Sequence, residues 1–465
     1  MRKITYLLFL VSCFSLGQNK QILYGFSEIP QALIQNPGGQ VTNKWYFGIP
    51  LLSHIHFNSG SSGISVYDLF ADNGVNFNTK LENAIYSMQE NNFVTANQQI
   101  EIFSGGFAIG SIFDKKEYIS FGVYQEFDFI SYYPKDYAIL AYEGNQNNVN
   151  RVFDASHANL SAELISVWHI GYNKQVNNNF SFGVRGKVYS SILNANSTNN
   201  KGSFVTRIGQ NNFYNHIFNL DLELRTSGYT TSGEEDRFTA NDYKKRLLLG
   251  GNLGLGFDIG FTQKIDKQWT VDASLLDIGF ISHTKDVENY KIEGNYQFEG
   301  VDPLFYESPE GQTADDYWSN VEDEFEELFE VDSTKTKYTT WRPAKLNASL
   351  NYAFGKKKTE ACNCLSDNDE YLNRVGLQLY AIARPKQPQM ALTAYYYRRL
   401  FNGLSAKATY TVDAFSFKNV GLGVSAHLGN VNLYLMADNF LEYQNVYNAQ
   451  SVSLQLGLNY IFNRK

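Results

Sequence analysis

The sequence predicts an all-β fold, a transmembrane antiparallel β-barrel of about 14 strands with long extracellular loops. Three observations predict it. Apolar and polar residues alternate in many runs of about 10 to 15 residues, which suits tilted membrane-crossing strands. The connections between these runs are short and long in turn. No segment has the roughly 20 consecutive apolar residues that a membrane-spanning helix needs.

The chain begins with a segment typical of exported proteins. Residues 1–3 are Met-Arg-Lys, residues 4–11 are an apolar run, and small residues lead to Gly17, which is the anatomy of a secretory signal peptide. We expect cleavage after Gly17, so that residues 1–17 are the signal peptide. Cys13 leaves open a lipoprotein cleavage, although the signal segment would then be very short.

Residues 18–43 precede the first predicted strand and form a segment of their own. Pro30 and the run from Asn36 to Gly39 make its backbone irregular. Two arrangements are open: the segment could enter the barrel as a plug, or it could lie across the periplasmic mouth.

The run from Leu253 to Phe261 shows the alternation on which the barrel, residues 44–465, is predicted. Every second residue from Leu253 is a large apolar one, and the residues between are glycine or aspartate. Because successive strand side chains point to opposite faces, one face is fully apolar and the other is small and polar. The polar face suits a wet lumen. Aromatic residues near strand ends, such as Trp269 and Tyr460, suit a membrane interface.

Fourteen such runs are predicted to cross the membrane, and an even number puts both chain termini on one side. They are residues 44–58, 99–113, 117–130, 160–175, 179–193, 250–265, 268–283, 340–355, 371–384, 388–400, 403–415, 418–428, 430–442 and 450–462.

The lengths of the connections predict which side is which. The very long ones, 59–98, 131–159, 194–249 and 284–339, all fall on one side. Bacterial barrels have short periplasmic turns and long outer loops. We therefore expect a cell outer membrane protein with both termini in the periplasm. Segment 214–228 also alternates and is expected to be a loop hairpin or a strand extension.

The loop 284–339 accounts for the net negative charge of the chain. Between Asp286 and Asp332 there are 16 acidic residues and one basic residue, Lys291, whereas the whole chain has 47 acidic and 39 basic residues. Residues 313–330 have the periodicity of a helix. This helix is either a lid or partner-docking element, or a solvated surface helix. The basic residues are scattered, so the sequence predicts no nucleic-acid partner.

The polar faces of the strands carry five charged residues that we expect to line the lumen: Arg185, Lys187, Asp258, Asp272 and Asp438. They could line a path for solutes. Alternatively, they could neutralise one another across the interior.

Catalytic and metal-binding motifs are not evident. The glycines between 251 and 256 are followed by a strand, so no helix N-terminus is available to bind phosphate. His169 beside Trp168 is the one tempting position for a barrel lipase, but no serine can be assigned to it. We predict a protein that is not an enzyme, with no cofactor and no metal. The turn 356–370, with Cys362 and Cys364, is either a contact for a periplasmic partner or a solvated turn.

The run Asn36-Pro37-Gly38, shortly before the first strand and after a short signal peptide, resembles outer-membrane barrels of the FadL and PorV type. The likeness extends to Bacteroidota barrels described only as a domain of unknown function. It covers the architecture of the mature chain, although that family usually has alanine where this chain has Gly38.

The resemblance implies passage or binding of small hydrophobic molecules, or service as a non-catalytic accessory subunit of an outer-membrane secretion or assembly complex. A surface adhesin that presents the long loops is a further alternative. The expected partners are outer-membrane lipid and periplasmic or outer-membrane proteins.

Overall fold

Strands dominate the computed structural model, which describes residues 20–110, 117–209, 214–228, 239–298, 329, 331–356, 371–413, 415, 417–442 and 449–463. The strands are β1 (Asn43–Gly48), β2 (Ile55–Ser61), β3 (Phe93–Ile109), β4 (Glu117–Tyr132), β5 (Val152–Asp154), β6 (Asn159–Gln175), β7 (Phe180–Ile208), β8 (Tyr214–Ser227), β9 (Asn252–Lys264), β10 (Trp269–His283), β11 (Val287–Phe298), β12 (Asp332–Thr334), β13 (Tyr338–Trp341), β14 (Lys345–Lys356), β15 (Tyr371–Ile382), β16 (Gln389–Phe401), β17 (Leu404–Val412), β18 (Asn419–Leu428), β19 (Val431–Asp438) and β20 (Ser451–Asn463).

Short helices connect some of the strands. They are α1 (Ala32–Gln35), α2 (Val66–Phe70), α3 (Phe77–Ser87), α4 (Lys135–Glu143) and α5 (Ala240–Lys245), with a 3-10 turn at Gln146–Asn148 and a π turn at Arg246–Gly250. Side chains cap several of them, because the first N–H groups of a helix lack partners within it. Ser65 accepts from the N–H of Asp68 at the start of α2, and Thr239 does the same for Asp242 in α5.

The strands close into an antiparallel barrel of fourteen positions. Going round the wall, the order is β1 with β2, β3, β4, β6, β7, β9, β10, β13 with β14, and then β15 to β20. The first strand is interrupted, but both of its parts pair with β3 on one side and β20 on the other. The predicted barrel of 14 strands is confirmed.

The connections separate by length, as the sequence predicts. One end of the barrel, here called the turn end, has short connections such as 176–179, 265–268 and 402–403. The other, called the loop end, has the long ones, including 62–92 and 133–158 with their helices. Both β1 and the last strand, β20, reach the turn end.

Part of the sheet continues beyond the barrel at the loop end. The second half of β7 pairs with β5 on one edge and β8 on the other, and β8 pairs with β11, which pairs with β12. The alternating segment 214–228 is thus a strand of this extension and not a fifteenth crossing. Buried Phe153 and Phe204 of the extension pack with Ile85 of α3 and Ile139 of α4.

The outer surface of the wall is apolar and the interior is polar, the reverse of a water-soluble protein. Leu255, Leu377 and Leu435 are 59%, 54% and 54% exposed, whereas interior Arg185 is 2% exposed. Aromatic pairs lie at the turn end; the rings of Trp269 and Tyr352, for example, are 5.0 Å apart. An apolar band of this kind is the surface that contacts lipid in a transmembrane barrel.

Among the described residues, no helix combines the length and apolar character required to cross a membrane.

Several sequence predictions concern residues outside the described ranges. These are the signal peptide 1–17, the helix 313–330 and the cysteines Cys362 and Cys364.

Arginine at Leu377, in the middle of β15, should destabilise the barrel in a bilayer. We expect Leu377→Arg to lower the free energy of unfolding by about 2–4 kcal/mol, because the charge enters hydrocarbon near the bilayer midplane. The control is Leu428→Arg at the end of β18, where a cost of about 0–1 kcal/mol is expected. Urea unfolding in phospholipid vesicles, followed by tryptophan fluorescence, measures both. Equal costs at the two positions would contradict a membrane-embedded band.

Candidate functional site: the filled lumen and the groove in the wall

Residues 20–42, here called the plug segment, lie inside the barrel. Ile22, Leu23, Phe26 and Ile29 are almost fully buried. They pack against an interior patch of the wall formed by Tyr397, Tyr434 and Met436. Removing these side chains from water is worth about 1.5–3 kcal/mol each, so apolar contact holds the first half of the plug segment.

Polar side chains of the wall bind the backbone and side chains of the plug segment. Lys407 Nζ donates to the carbonyl oxygens of Tyr24 at 2.7 Å and Gln21 at 3.2 Å. Gln31 Nε2 donates to Glu101 Oε2 at 2.9 Å and to Asn459 Oδ1 at 2.8 Å. These bonds satisfy backbone and side-chain groups that would otherwise be buried without partners.

The turn Asn36-Pro37-Gly38 is fixed between two wall glycines that face each other, Gly183 of β7 and Gly260 of β9. A β-carbon on Gly183 would overlap the carbonyl of Pro37, and a β-carbon on Gly38 would overlap the carbonyl of Gly260. This close backbone approach explains why this chain has glycine at position 38.

Hydrogen bonds complete the seat of this turn. Asn173 Nδ2 donates to the carbonyl of Pro37 at 2.6 Å, and Ser181 Oγ donates to that of Gly38 at 2.8 Å. The side chain of Asn36 accepts from the N–H of Gly38 at 2.9 Å and donates to the carbonyl of Phe261 at 3.2 Å. The motif singled out in the sequence is therefore the point at which the plug segment is fastened to the wall.

A continuous ion-pair network, here called the lumen network, crosses the interior. Its four cations and four carboxylates are Arg185, Lys187, Arg342, Lys345, Glu126, Glu163, Asp258 and Asp277. The charges balance, so no member is a buried charge without a counter-charge. Removing one partner of a buried pair typically costs about 3–5 kcal/mol, so the network resists opening.

The lumen network is bonded to the plug segment through Arg185. Its Nη1 lies 3.0 Å from Asp258 Oδ2 and donates to the carbonyl oxygen of Ile34 at 3.2 Å. Its Nη2 donates to the carbonyl oxygen of Leu33. Moving the plug segment would therefore leave part of a buried guanidinium without acceptors, which is costly.

A β-bulge in β10 brings Asp277 into the network. The register between β10 and β9 shifts between Leu275 and Ile278, and Asp277 has a positive φ of 58°. Its carboxylate then lies 2.6 Å from Lys187 Nζ and 2.9 Å from Lys345 Nζ. A non-glycine residue in this left-handed conformation is held there by its surroundings.

The five predicted lumen residues are all buried, but they do not form one site. Arg185, Lys187 and Asp258 meet in the lumen network. Asp272 lies apart and accepts hydrogen bonds from Thr262, Ser349 and Asn351 at 2.6, 3.1 and 2.7 Å. Asp438 lies near the loop end, at the last position of β19.

Sequence reasoning did not single out the other five members of the lumen network. Glu126 and Glu163 follow the interior period of β4 and β6, so the alternation could have identified them. Arg342 falls between β13 and β14, where the alternation is interrupted. Asp277 falls in the lipid-facing phase of β10, and that out-of-phase carboxylate was the available sign of a bulge.

The outer wall has an apolar groove between β3, β4, β6, β7 and β9, with a volume of about 580 Å³. Gly186 forms its floor, because a β-carbon there would meet no atom within 4 Å. Its apolar lining comprises Phe103, Phe121, Trp168, Ile170, Val188 and Leu255.

Behind the groove the wall is thin. Gly122, Gly256, His169 and Lys187 also border it, and Lys187 belongs to the lumen network. His169 is 8% exposed, and neither ring nitrogen has a hydrogen-bond partner among the described residues. The groove can thus hold an apolar molecule next to a polar group of the interior.

The described part of the chain has no group of three or more His, Cys, Asp or Glu side chains placed to hold a metal ion.

A family model described as a family of unknown function (DUF5723) matches residues 37–438. No curated protein matches the chain in sequence. Solved structures with a similar fold include the toluene transporter TbuX of Ralstonia pickettii, with 9% identity, coverage of 97% of this chain and 98% of that one, and a TM-score of 0.41. A FadL homologue of Pseudomonas aeruginosa has 9% identity, coverage of 97% and 100%, and a TM-score of 0.42. The translocator domain of the autotransporter NalP of Neisseria meningitidis has 8% identity, 93% coverage of each chain and a TM-score of 0.33.

A side chain at Gly183 should prevent the plug segment from seating. We expect Gly183→Leu to form a barrel but to conduct ions, because the leucine would occupy the place of the Pro37 carbonyl. The control is Val184→Leu, next in β7, whose side chain is 44% exposed on the outer face. Conductance in planar lipid bilayers compares the variants. If Gly183→Leu were as closed as the control, the plug segment would not be what closes the lumen.

Proposed function

The chain belongs to a family of unknown function, DUF5723, and we propose from its own geometry that it is a non-catalytic outer-membrane barrel that binds small hydrophobic molecules. The groove in the outer wall carries this proposal. It faces the membrane, six apolar side chains line it, and Gly186 leaves its floor open. Its volume is within the roughly 300–1,000 Å³ of small-molecule sites.

The position of the groove supports capture from the membrane. Hydrophobic molecules concentrate in a bilayer, so a site on the lipid-facing wall meets them at far higher concentration than a site in water. Ile170 and Leu255, which are 61% and 59% exposed, extend the apolar lining onto the open surface. A bound molecule therefore need not cross a polar barrier to reach the floor at Gly186.

Passage through the barrel requires a second step. The plug segment and the lumen network fill the interior behind the groove. For a bound molecule to reach the turn end, the turn at Asn36 to Gly38 would have to leave its seat between Gly183 and Gly260. Binding at the wall is thus the first event, and release of the plug segment is the controlling one.

The orientation follows from the loops. Short turns are periplasmic in bacterial outer-membrane barrels, so the turn end, with β1 and the end of β20, would face the periplasm. The loop end would face outward, with its helices and the sheet formed by β5, β7, β8, β11 and β12. The partners are outer-membrane lipid and the captured molecule.

A second candidate is an accessory subunit of an outer-membrane secretion or assembly complex. The filled lumen favours it, because a barrel sealed by charge pairs is a rigid scaffold. The raised sheet, in which β7 runs from Phe180 to Ile208, offers a surface at the loop end. Stoichiometric co-purification of another envelope protein in mild detergent would support it, and a chain recovered alone would contradict it.

Leucine at Gly186 should block the groove without disturbing the lumen. We expect Gly186→Leu to reduce labelling by a small aromatic hydrocarbon carrying a photoreactive diazirine about tenfold, the factor that corresponds to a loss of ~1.4 kcal/mol in binding. The label is mapped by mass spectrometry of the full chain in lipid vesicles. Wild type should be labelled near Phe103, Trp168 and Val188.

Val184→Leu is again the matched control, because it changes an outward side chain of the same strand that does not line the groove. It should label as wild type does. Uniform labelling around the barrel, or equal labelling of the two variants, would contradict the proposal.

A further inference from the structure

A corner of the lumen near the loop end contains a carboxylate whose charge is not matched. Asp438, the last residue of β19, is 1% exposed, and neither carboxylate oxygen makes a hydrogen bond of normal geometry among the described residues, although the hydroxyl of Ser453, its partner on β20, lies beside it. Burying an ionised carboxylate without a partner is very unfavourable. Asp272, by comparison, is buried with three donors. Asp438 therefore has to bind either a proton or a cation.

The strand register puts Gly421, which has no side chain, beside Asp438. Thr409 of β17 pairs with Gly421 of β18, and the pairing of Leu422 with Ala437 puts Gly421 opposite Asp438. A β-carbon at Gly421 would be 2.8 Å from Asp438 Oδ1 and would overlap Thr409 Oγ1. The Thr409 hydroxyl also lacks a partner in the described structure. The Thr409 hydroxyl oxygen and Asp438 Oδ1, neither of which makes a hydrogen bond of normal geometry among the described residues, thus lie close to the same point.

More oxygen ligands lie around this corner. Asp413 is 2% exposed and accepts a hydrogen bond from Asn419 Nδ2 at 3.1 Å. Asn419 Oδ1 accepts from the N–H of Asn439 at 2.7 Å. Asn439, with a positive φ of 56°, is fully buried, and its Oδ1 has no partner among the described residues. The corner thus combines two carboxylates with neutral oxygen atoms.

The cation nearest in this part of the wall is committed elsewhere. Lys407 Nζ donates to the carbonyls of Gln21 and Tyr24 and lies 4.2 Å from the ring centroid of Tyr395. Its hydrogen bonds hold the plug segment. It makes no ion pair with Asp438 within 4.0 Å among the described residues. Asp438 therefore has no cationic side chain in direct contact in the described part of the chain.

We propose that this corner binds a hard divalent cation, Ca²⁺, through the carboxylate of Asp438, with the Thr409 hydroxyl and the Asn439 amide oxygen as further ligands. Ca²⁺ takes six to eight oxygen ligands at about 2.3–2.6 Å in irregular geometry, and water completes incomplete protein sites. Asp413 adds negative charge nearby. Ile22 of the plug segment lies against the same space, 2.9 Å from the β-carbon position of Gly421.

The cation would join two loop-end connections to the closed lumen. Asp413 follows β17 and Asn439 follows β19, so both connections start at the site. Since Ile22 borders it, Ca²⁺ would stabilise the plugged state. This inference does not depend on what the groove binds.

Calcium titration of the purified full chain tests the site. After removal of metals with EGTA and dialysis, isothermal titration calorimetry with CaCl2 should show one saturable site, and Ca²⁺ should raise the melting temperature of the barrel. Mg²⁺ should bind more weakly, because it demands regular octahedral geometry. Asp438→Asn should lose both the heat of binding and the rise in melting temperature.

The matched control is Asp272→Asn, which changes a buried lumen aspartate that already has three donors, and it should bind Ca²⁺ as wild type does. Should Asp438→Asn fail to fold, Thr409→Val removes one ligand at constant shape and should weaken binding about tenfold. The proposal is overturned if wild type shows no saturable Ca²⁺ binding, which would mean that Asp438 is buried protonated. It is also overturned if a folded Asp438→Asn, or a folded Thr409→Val, binds Ca²⁺ as tightly as wild type.

Discussion

Backbone hydrogen bonding in hydrocarbon is the constraint on which the rest of this molecule depends. An unpaired N–H or C=O group in lipid costs several kcal/mol, so a sheet in a membrane must have no edge. The pairing of β20 with both halves of the first strand removes the last edge. Once the wall is closed, its outer face must be apolar where it meets hydrocarbon, and buried polar side chains such as Arg185 and Gln455 point inward. The plug segment and the lumen network then fill the space that the closed wall encloses.

The interior then has to provide hydrogen-bond and ion-pair partners for the polar and charged side chains that point into it. The lumen network does so by balancing four cations with four carboxylates, and the bulge at Asp277 supplies the carboxylate that joins Lys187 to Lys345. The plug segment provides further acceptors: its carbonyl oxygens bind Arg185 and Lys407. Wall and plug therefore complete each other, since each contains buried groups whose partners lie on the other. The corner at Asp438 is one of the parts of the interior where, among the described residues, this matching is incomplete.

Glycines determine where other groups can approach the wall. Gly183 and Gly260 admit the backbone of Pro37 and Gly38 on the inside, and Gly186, three residues along β7, leaves a hollow on the outside. One strand thus seats the plug segment on one face and floors the groove on the other. The two lie on opposite faces of the sheet, about 10 Å apart along the strand, and the interior side chains of Lys187 and His169 border the groove. This proximity gives a physical route by which a molecule in the groove could influence the lumen.

The sequence by itself determined the wall: period-two alternation marked all fourteen crossings, the lengths of the connections separated the two ends, and Asp258, Arg185 and Lys187 were identified as interior. These are local properties, readable from neighbours in the chain. Tertiary structure decided which residues meet. The bulge that turns Asp277 inward, the partners of Arg342 and the isolation of Asp438 depend on register between strands far apart in sequence. The seat of Asn36 to Gly38 depends on two glycines more than 140 and 220 residues away. Alternation tells which face a side chain takes, but only the closed barrel fixes its distance to a side chain on another strand.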